Sequence, residues 1–412
     1  MMPYQLTKYK ERTGMKQEEY INRAEENLFH VYNRFPVVFD HGQGVYLYDT
    51  DGKKYLDAGS GIGVMALGYG DPEYNCILHE QLERLIHSSN LYYTPQLAAA
   101  SEAVTQVTGM DRVFFTNSGA EAIEGALKTA KKHAYLKNPK AGQKIIAMKH
   151  SFHGRTVGAL SVTGTEHYRT PFYPLMDGVC YAEFNNLESV KNQLEEGVCA
   201  IILETVQGEG GIIPASREFL RGIRRICDER GILMIVDEIQ CGMGRSGRMF
   251  AYQDYGIRPD ILTTAKALGL GLPVGAFCVS QDLAQTSLVP GDHGTTYGGN
   301  PLACAAVTAS IRLMRQRRIP EHVTALSPYF EAILQGMADR YDFISSYRGI
   351  GFMRGLVTTL EPGQVAARAL EEGLVILTAG RDVIRMLPPL IFQERDFDEL
   401  EEKLIRVFDS FR

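Results

Sequence analysis

The chain contains no basic block, no apolar run long enough to span a bilayer and no Cys-x-x-Cys pair. The missing basic block, with a formal net charge of −6 and a sequence pI near 6.0, argues against a nucleic-acid partner. The missing apolar run argues against a membrane-spanning helix, and the highly charged first thirty residues lack the apolar centre of a signal peptide. Cytoplasm is therefore the expected location. The seven cysteines (Cys76, Cys180, Cys199, Cys227, Cys241, Cys278 and Cys304) are odd in number and scattered. They suit reduced thiols better than a disulfide framework or a zinc site.

What is present is the balance of a globular enzyme: 412 residues, 45% hydrophobic and 22% charged, too many for one small core. Residues 1–30 read as a polar surface arm with modest helical character. Two short apolar runs flank Asp51-Gly52, a strong hairpin signal. From about residue 110 the pattern becomes strand, turn, helix. Strands are expected at Arg112–Thr116, Lys144–Met148, Val198–Leu203, Ile232–Val236, Ile261–Thr264 and Val274–Val279. Helices are expected from Ser118 to Lys137 and from Arg217 to Arg230, the latter closed by Gly231. Strands that are apolar throughout and alternate with helices imply an α/β fold with a mostly parallel sheet covered on both faces. No repeat or flexible linker appears, so a second, smaller unit packs directly on the first.

Ligands of open α/β sheets bind beyond the carboxyl ends of the strands. Three polar features fall there. Ser118-Gly119 opens a helix after Thr116, which offers unpaired N–H groups to an anion, although Ser118 alone reads as a plain N-cap. Asp237 ends a hydrophobic strand, where a carboxylate needs a partner; a helix cap or an ion pair is the alternative. Lys266 follows Ile261–Thr264 in an apolar setting, where desolvation turns an amine into a nucleophile suited to Schiff-base chemistry; a snorkelling lysine is the alternative. Together the three match the needs of pyridoxal phosphate: donors for its phosphate, an acid for its pyridine nitrogen and an amine for its aldehyde. Two rivals fail. Gly269-Leu-Gly-Leu-Pro-Val-Gly275 has the wrong spacing for a dinucleotide loop, with Pro273 where a helix would begin. His150 and His153 lack a third metal ligand, so no metal is expected.

Seven motifs then resemble one family in order and register. They are Asn117-Ser-Gly-Ala-Glu-Ala122, Phe152-His-Gly-Arg-Thr156, Glu204-Thr-Val-Gln-Gly-Glu-Gly-Gly211, Asp237-Glu-Ile-Gln-Cys-Gly-Met-Gly-Arg245, Ala265-Lys-Ala-Leu268, His293-Gly-Thr-Thr-Tyr-Gly-Gly-Asn-Pro301 and Ile384-Arg-Met-Leu-Pro-Pro389. The chain resembles the subgroup III (ω-) aminotransferases of fold type I, from about Pro36 to about Leu390. Ser89-Asn-Leu-Tyr-Tyr-Thr94, Leu377-Thr-Ala-Gly-Arg-Asp-Val-Ile-Arg385 and Gly61-Ile62 are most similar to the branch that uses N-acetylornithine. Thr205, Leu270, Leu272 and Tyr69-Gly-Asp71 depart from the family pattern.

The resemblance implies a division into an N-terminal arm and part of a small domain (1–62), a large cofactor-binding domain (63–300) and a C-terminal small domain (301–412). It implies that Ser118, Gly119 and Ala120 bind the phosphate, that Phe152 stacks on the ring, and that Gln240 touches the phenolic oxygen. Asp237 then holds the ring nitrogen and Lys266 carries the cofactor. Thr296 reaches the phosphate of the other subunit, making the active unit a homodimer. Arg155 and Arg385 bind substrate carboxylates, Tyr32 assists Arg155, and Glu209 neutralises Arg385 in one half-reaction. The implied activity moves a terminal amino group to 2-oxoglutarate. Succinylornithine, ornithine and 4-aminobutyrate stay open as donors. A racemase, mutase or decarboxylase would keep Lys266 and Asp237 without needing the Glu209–Arg385 pair.

Overall fold

A computed structural model describes residues 15–412, so the first part of the expected N-terminal arm lies outside the described residues. A helix, Gln17–Glu25, starts the described chain. Strands β1 (Phe39–Gln43), β2 (Tyr46–Asp49) and β3 (Lys54–Asp57) follow as an antiparallel meander, with the expected turn at Asp51-Gly52 joining the last two. Gly52 has φ +82, a conformation that a glycine adopts without steric cost.

Next come β4 (Arg112–Thr116), β5 (Lys144–Met148), β6 (Val179–Ala182) and β7 (Val198–Glu204). A short antiparallel pair, β8 (Val206–Gln207) and β9 (Ile213–Pro214), frames the Glu209 loop. Strands β10 (Leu233–Asp237), β11 (Ile261–Thr264) and β12 (Gly275–Val279) complete a seven-stranded sheet in the order β4-β12-β11-β10-β7-β5-β6. All neighbours pair in parallel except at β12, which runs against both β4 and β11. The expectation of a mostly parallel sheet holds. The strand at Val274–Val279, read as one more of the series, runs the opposite way.

Alternate residues of the central strands feed opposite layers, as a pleat of period two requires. Ile201, Leu203, Met234 and Val236 enter one core with Phe219, Leu220, Ile223 and Cys227 of the helix Arg217–Arg230. Ala200, Ile202, Leu233 and Ile235 enter another with Ile123, Ala126, Leu127 and Ala130 of the helix Gly119–Lys137. Strands buried on both faces have no polar alternation, which is why they read as continuous apolar runs. Ile232 drops out of its expected strand because its N–H closes the preceding helix onto the Cys227 carbonyl at 3.1 Å. The edge strand β6 was not foreseen: Val179, Cys180 and Tyr181 are half-buried and give a weak signal.

The C-terminal third adds β13 (Ile344–Ile350), β14 (Met353–Thr358), β15 (Leu374–Val375), β16 (Leu377–Ala379) and β17 (Val383–Met386). Four of these form an antiparallel sheet, β13-β14-β17-β16, and Arg385 lies on β17 opposite Gly355. Strand β15 instead pairs in parallel with β3. The N-terminal meander therefore belongs to a sheet completed from the other end of the chain. No helix among the described residues is long and apolar enough to cross a membrane.

Candidate active site

At the carboxyl edge of the seven-stranded sheet lies a cavity of about 450 Å³. Its lining includes Ser118, Gly119, Ala120, Phe152, Arg155, Asp237, Gln240 and Lys266, all read as site residues from the sequence. Val64, His153, Glu204, Ile239, Leu272 and Pro273 complete much of the wall.

One end of the cavity is an anion cradle. Ser118 caps the helix Gly119–Lys137 by accepting from the Glu121 amide at 3.2 Å. The amides of Gly119 and Ala120 have no partner among the described residues, so their N–H groups and the helix dipole face the cavity. Backbone approach is close. A Cβ at Gly119 would meet Ile239 at 2.9 Å, and one at Gly154 (φ +140) would meet the Ala120 Cβ at 2.9 Å. Asn117 secures the turn by donating from Nδ2 to Glu121 Oε2 at 2.9 Å and to Thr295 Oγ1 at 3.0 Å.

Asp237 ends β10 and is 3% exposed. Its Oδ1 accepts from the Ile239 amide at 3.0 Å and from Thr263 Oγ1 at 3.2 Å; its Oδ2 lies 2.7 Å from His153 Nδ1. His153 is fully enclosed. Burial disfavours its charged form, but the hydrogen bond and charge of Asp237, helped by Glu204, hold its pKa above the usual value. The partner register of β10 and β7 sets Asp237 beside Glu204. Burial, with the charge of Asp237 adding to it, pushes the Glu204 carboxyl up to about 8. Glu204 accepts from the amides of Phe152 and Gly208, each at 3.2 Å.

Lys266 follows β11 in a left-handed conformation, φ +48, that a lysine rarely adopts. Burial lowers the pKa of its amine, Arg385 lowers it further, and Asp237, Glu209 and Glu204 pull the other way. The amine thus stands ready as a nucleophile at lower pH than a surface lysine.

Arg385 and Glu209 are not lining residues but adjoin the cavity through Gln240: Arg385 donates from Nη1 to Glu209 Oε1 at 2.5 Å and to Gln240 Oε1 at 3.2 Å. Its Nε is buried without a hydrogen-bond partner in the described structure. Arg155 lies over the Tyr168 ring at 3.7 Å and near the Phe152 ring at 5.4 Å, a cation held by two aromatic faces. Thr296 and Tyr32 are not in the cavity wall of this chain: both are exposed, and Tyr32 stacks with Arg34 at 5.4 Å.

The family profile "Aminotransferase class-III" matches residues 29–408. The chain belongs to the class-III aminotransferases. It is 43% identical over 399 residues to the acetylornithine aminotransferase of Methanocaldococcus jannaschii, covering 97% of this chain and 100% of that one. The ornithine aminotransferase of Toxoplasma gondii superposes with a TM-score of 0.94 at 28% identity, covering 100% of this chain and 99% of the other. The N-acetylornithine aminotransferase of Stenotrophomonas maltophilia superposes with a TM-score of 0.82 at 31% identity, over 95% and 99%. The class-III aminotransferases are pyridoxal-phosphate enzymes of fold type I.

The cavity of this class-III chain fits that cofactor. It offers free amides at a glycine cradle, an aromatic wall at Phe152, a buried carboxylate at Asp237 and an amine of lowered pKa at Lys266. His153 and Glu204 had no role in the sequence reading. His153, which lacks the companions of a metal ligand in the sequence, turns inward onto Asp237. Glu204 carried a usable signal, since it ends the apolar run Val198–Leu203 as Asp237 ends Ile232–Val236. Of the departures from the family pattern, Leu272 lines the cavity, while Thr205, Tyr69 and Asp71 are structural fixtures. Thr205 donates to Glu238 Oε1 at 2.6 Å, Tyr69 to Asp57 Oδ2 at 2.5 Å, and Asp71 caps the helix Pro72–Arg84.

Proposed function

We propose that this cavity transfers the terminal amino group of N-acetylornithine, or of a close ω-amino acid, to 2-oxoglutarate, giving the semialdehyde and glutamate. The observation that carries the reading is a pair of arginines placed differently: Arg155 open at the cavity and Arg385 neutralised by Glu209. A planar guanidinium grips a carboxylate through two N–H groups. An enzyme taking a terminal amine in one half-reaction and an α-amine in the other needs one carboxylate site always available and another that can be masked.

When bound, pyridoxal phosphate supplies an electron sink that stabilises negative charge at the carbon bearing the amino group. Ser118, Gly119 and Ala120 hold the phosphate, Phe152 covers the ring, Gln240 faces the phenolic oxygen and Asp237 keeps the ring nitrogen protonated. Asp237 can do so because Thr263, Ile239 and His153 fix its carboxylate. Lys266 would hold the cofactor through its amine and, as general base, would move a proton at the substrate carbon. Arg155 holds the α-carboxylate of the acetylated donor and later the side-chain carboxylate of glutamate; Tyr32, exposed and stacked on Arg34, is not placed to assist it. Arg385 takes glutamate's α-carboxylate once Glu209 lets go. On this reading 63–300 is the large cofactor-binding domain, 301–412 the C-terminal small domain that brings Arg385, and 1–62, described from residue 15, an N-terminal arm and part of the small domain.

The proposed active unit is a homodimer with Thr296 reaching the partner's phosphate. An apolar surface supports it: Leu91, Tyr92 and Tyr93 are 86%, 67% and 99% exposed, and Tyr297, next to Thr296, is 61% exposed. Such a patch is costly to leave in water. Sedimentation of the holoenzyme tests the dimer. Steady-state rates with 2-oxoglutarate and a panel of N-acetylornithine, N-succinylornithine, ornithine and 4-aminobutyrate test the donor. The highest kcat/KM belongs to N-acetylornithine on this reading. A preference for free ornithine, the substrate named for the T. gondii structure, would reassign the donor.

A further inference from the structure

A strained segment leads into the cavity wall. Ser60, Gly61, Ile62 and Gly63 all have positive φ, at 42°, 60°, 63° and 75°. They form one left-handed turn: the Gly63 amide donates to the Gly59 carbonyl at 3.0 Å, and those of Val64 and Met65 to the Ser60 carbonyl at 2.8 and 2.9 Å. Left-handed backbone is steric strain for any residue with a Cβ, and most of all for β-branched Ile62. Ile62 is 43% exposed, so burial of its own side chain does not offset that cost. Strain of this kind persists where the surroundings over-determine it.

The surroundings here are three buried or half-buried polar groups and one strand end. Asp57 is fully buried; its Oδ1 accepts from the Gly59 and Ser60 amides at 2.8 and 2.9 Å, and its Oδ2 from the Tyr69 hydroxyl at 2.5 Å. Ser60 Oγ donates to the Leu387 carbonyl at 2.5 Å, and the Leu387 amide returns a bond to the Ala58 carbonyl at 2.7 Å. Arg245, 2% exposed, donates to the carbonyls of Phe352 and Pro388 and to Ser60 Oγ at 3.4 Å. The strand end is that of β17, two residues past Arg385. On the other side, Val64 follows the turn directly and lines the cavity.

We propose that Asp57, Tyr69 and Arg245 are positioning residues: Asp57 and Tyr69 fix the turn Ser60–Gly63, Arg245 ties it to the end of β17, and together they hold the Val64 wall in place and thereby select the length of the amino donor. None of the three lines the cavity, so they act through the turn. The inference rests on the reading of the cavity as a transamination site.

Tyr69→Phe removes one hydroxyl and keeps the ring. The experiment compares holoenzymes by hydrogen exchange at Val64 and Met65, and by kcat/KM on straight ω-amino carboxylates of increasing length alongside N-acetylornithine. The clamp predicts exchange at least tenfold faster. It also predicts a discrimination between the best and next donor that falls at least fivefold through KM, with kcat for the best donor within twofold. Ser60→Ala, which frees the same turn from Leu387, gives the same pair of changes and stands in if Tyr69→Phe folds poorly. Unchanged exchange in both variants overturns the clamp. Faster exchange with an unchanged length profile overturns the link to specificity. A wild-type enzyme inert with every donor, while still binding cofactor, would instead sink the functional reading on which the inference depends.

Discussion

Arg385 Nη1 lies 2.5 Å from Glu209 Oε1, although the two residues are 176 positions apart in the chain. Glu209 comes from the loop between β8 and β9, and Arg385 from the antiparallel sheet of the C-terminal third. The arginine is 5% exposed and the glutamate 25%, so the acid is the member with room to move. Breaking a buried pair leaves an uncompensated charge, whereas a partner that swings aside for a carboxylate does not.

Replacing Glu209 by Gln therefore separates the two half-reactions. Single-turnover reaction with glutamate survives, because Arg385 stays free for an α-carboxylate. The half-reaction with the ω-amino donor loses about 2–4 kcal/mol of transition-state stabilisation, since the unmasked guanidinium misplaces the donor. Equal losses in both halves would reduce the pair to a structural ion pair.

Asp237→Asn lowers kcat by orders of magnitude, because an amide does not keep the ring nitrogen protonated. His153→Gln is milder. It leaves the Asp237 side chain in place but removes the group 2.7 Å from its Oδ2, and a loss of about tenfold in kcat with cofactor still bound is the expected result. Near-normal turnover in Asp237→Asn counts against the assigned role.

Glu204 makes the stability of the protein depend on pH. Its carboxyl titrates at about 8 in the fold and near 4.5 in the unfolded chain. Between those values the folded protein binds the extra proton, so stability is fully present below about pH 4.5 and is lost as pH rises through about 8. Glu204→Gln removes this term. Its denaturation midpoint, relative to the wild type, rises as pH is taken from 5 to 9; parallel curves across that range refute the assignment.

Much of the catalytic edge was legible because its chemistry is local. An apolar run that stops at Asp237, one that stops before Lys266 and a Ser118-Gly119 helix start each mark a strand end without any knowledge of pairing. What was not legible depends on register and direction. That Asp237 and Glu204 sit side by side follows from the β10–β7 pairing, and the reversal of β12 leaves no trace in its composition. The role of His153 was not legible because its partner is a single carboxylate 84 residues away. The left-handed stretch Ser60–Gly63 was equally hidden, since two of its four residues are not glycine.

The most direct test of the account is chemical. Protein loaded with pyridoxal phosphate is reduced with borohydride, digested and mapped by mass spectrometry. The account predicts one added phosphopyridoxyl group per chain, on the peptide containing Lys266, and loss of the yellow colour. A label on any other lysine, or no stable label, would contradict it.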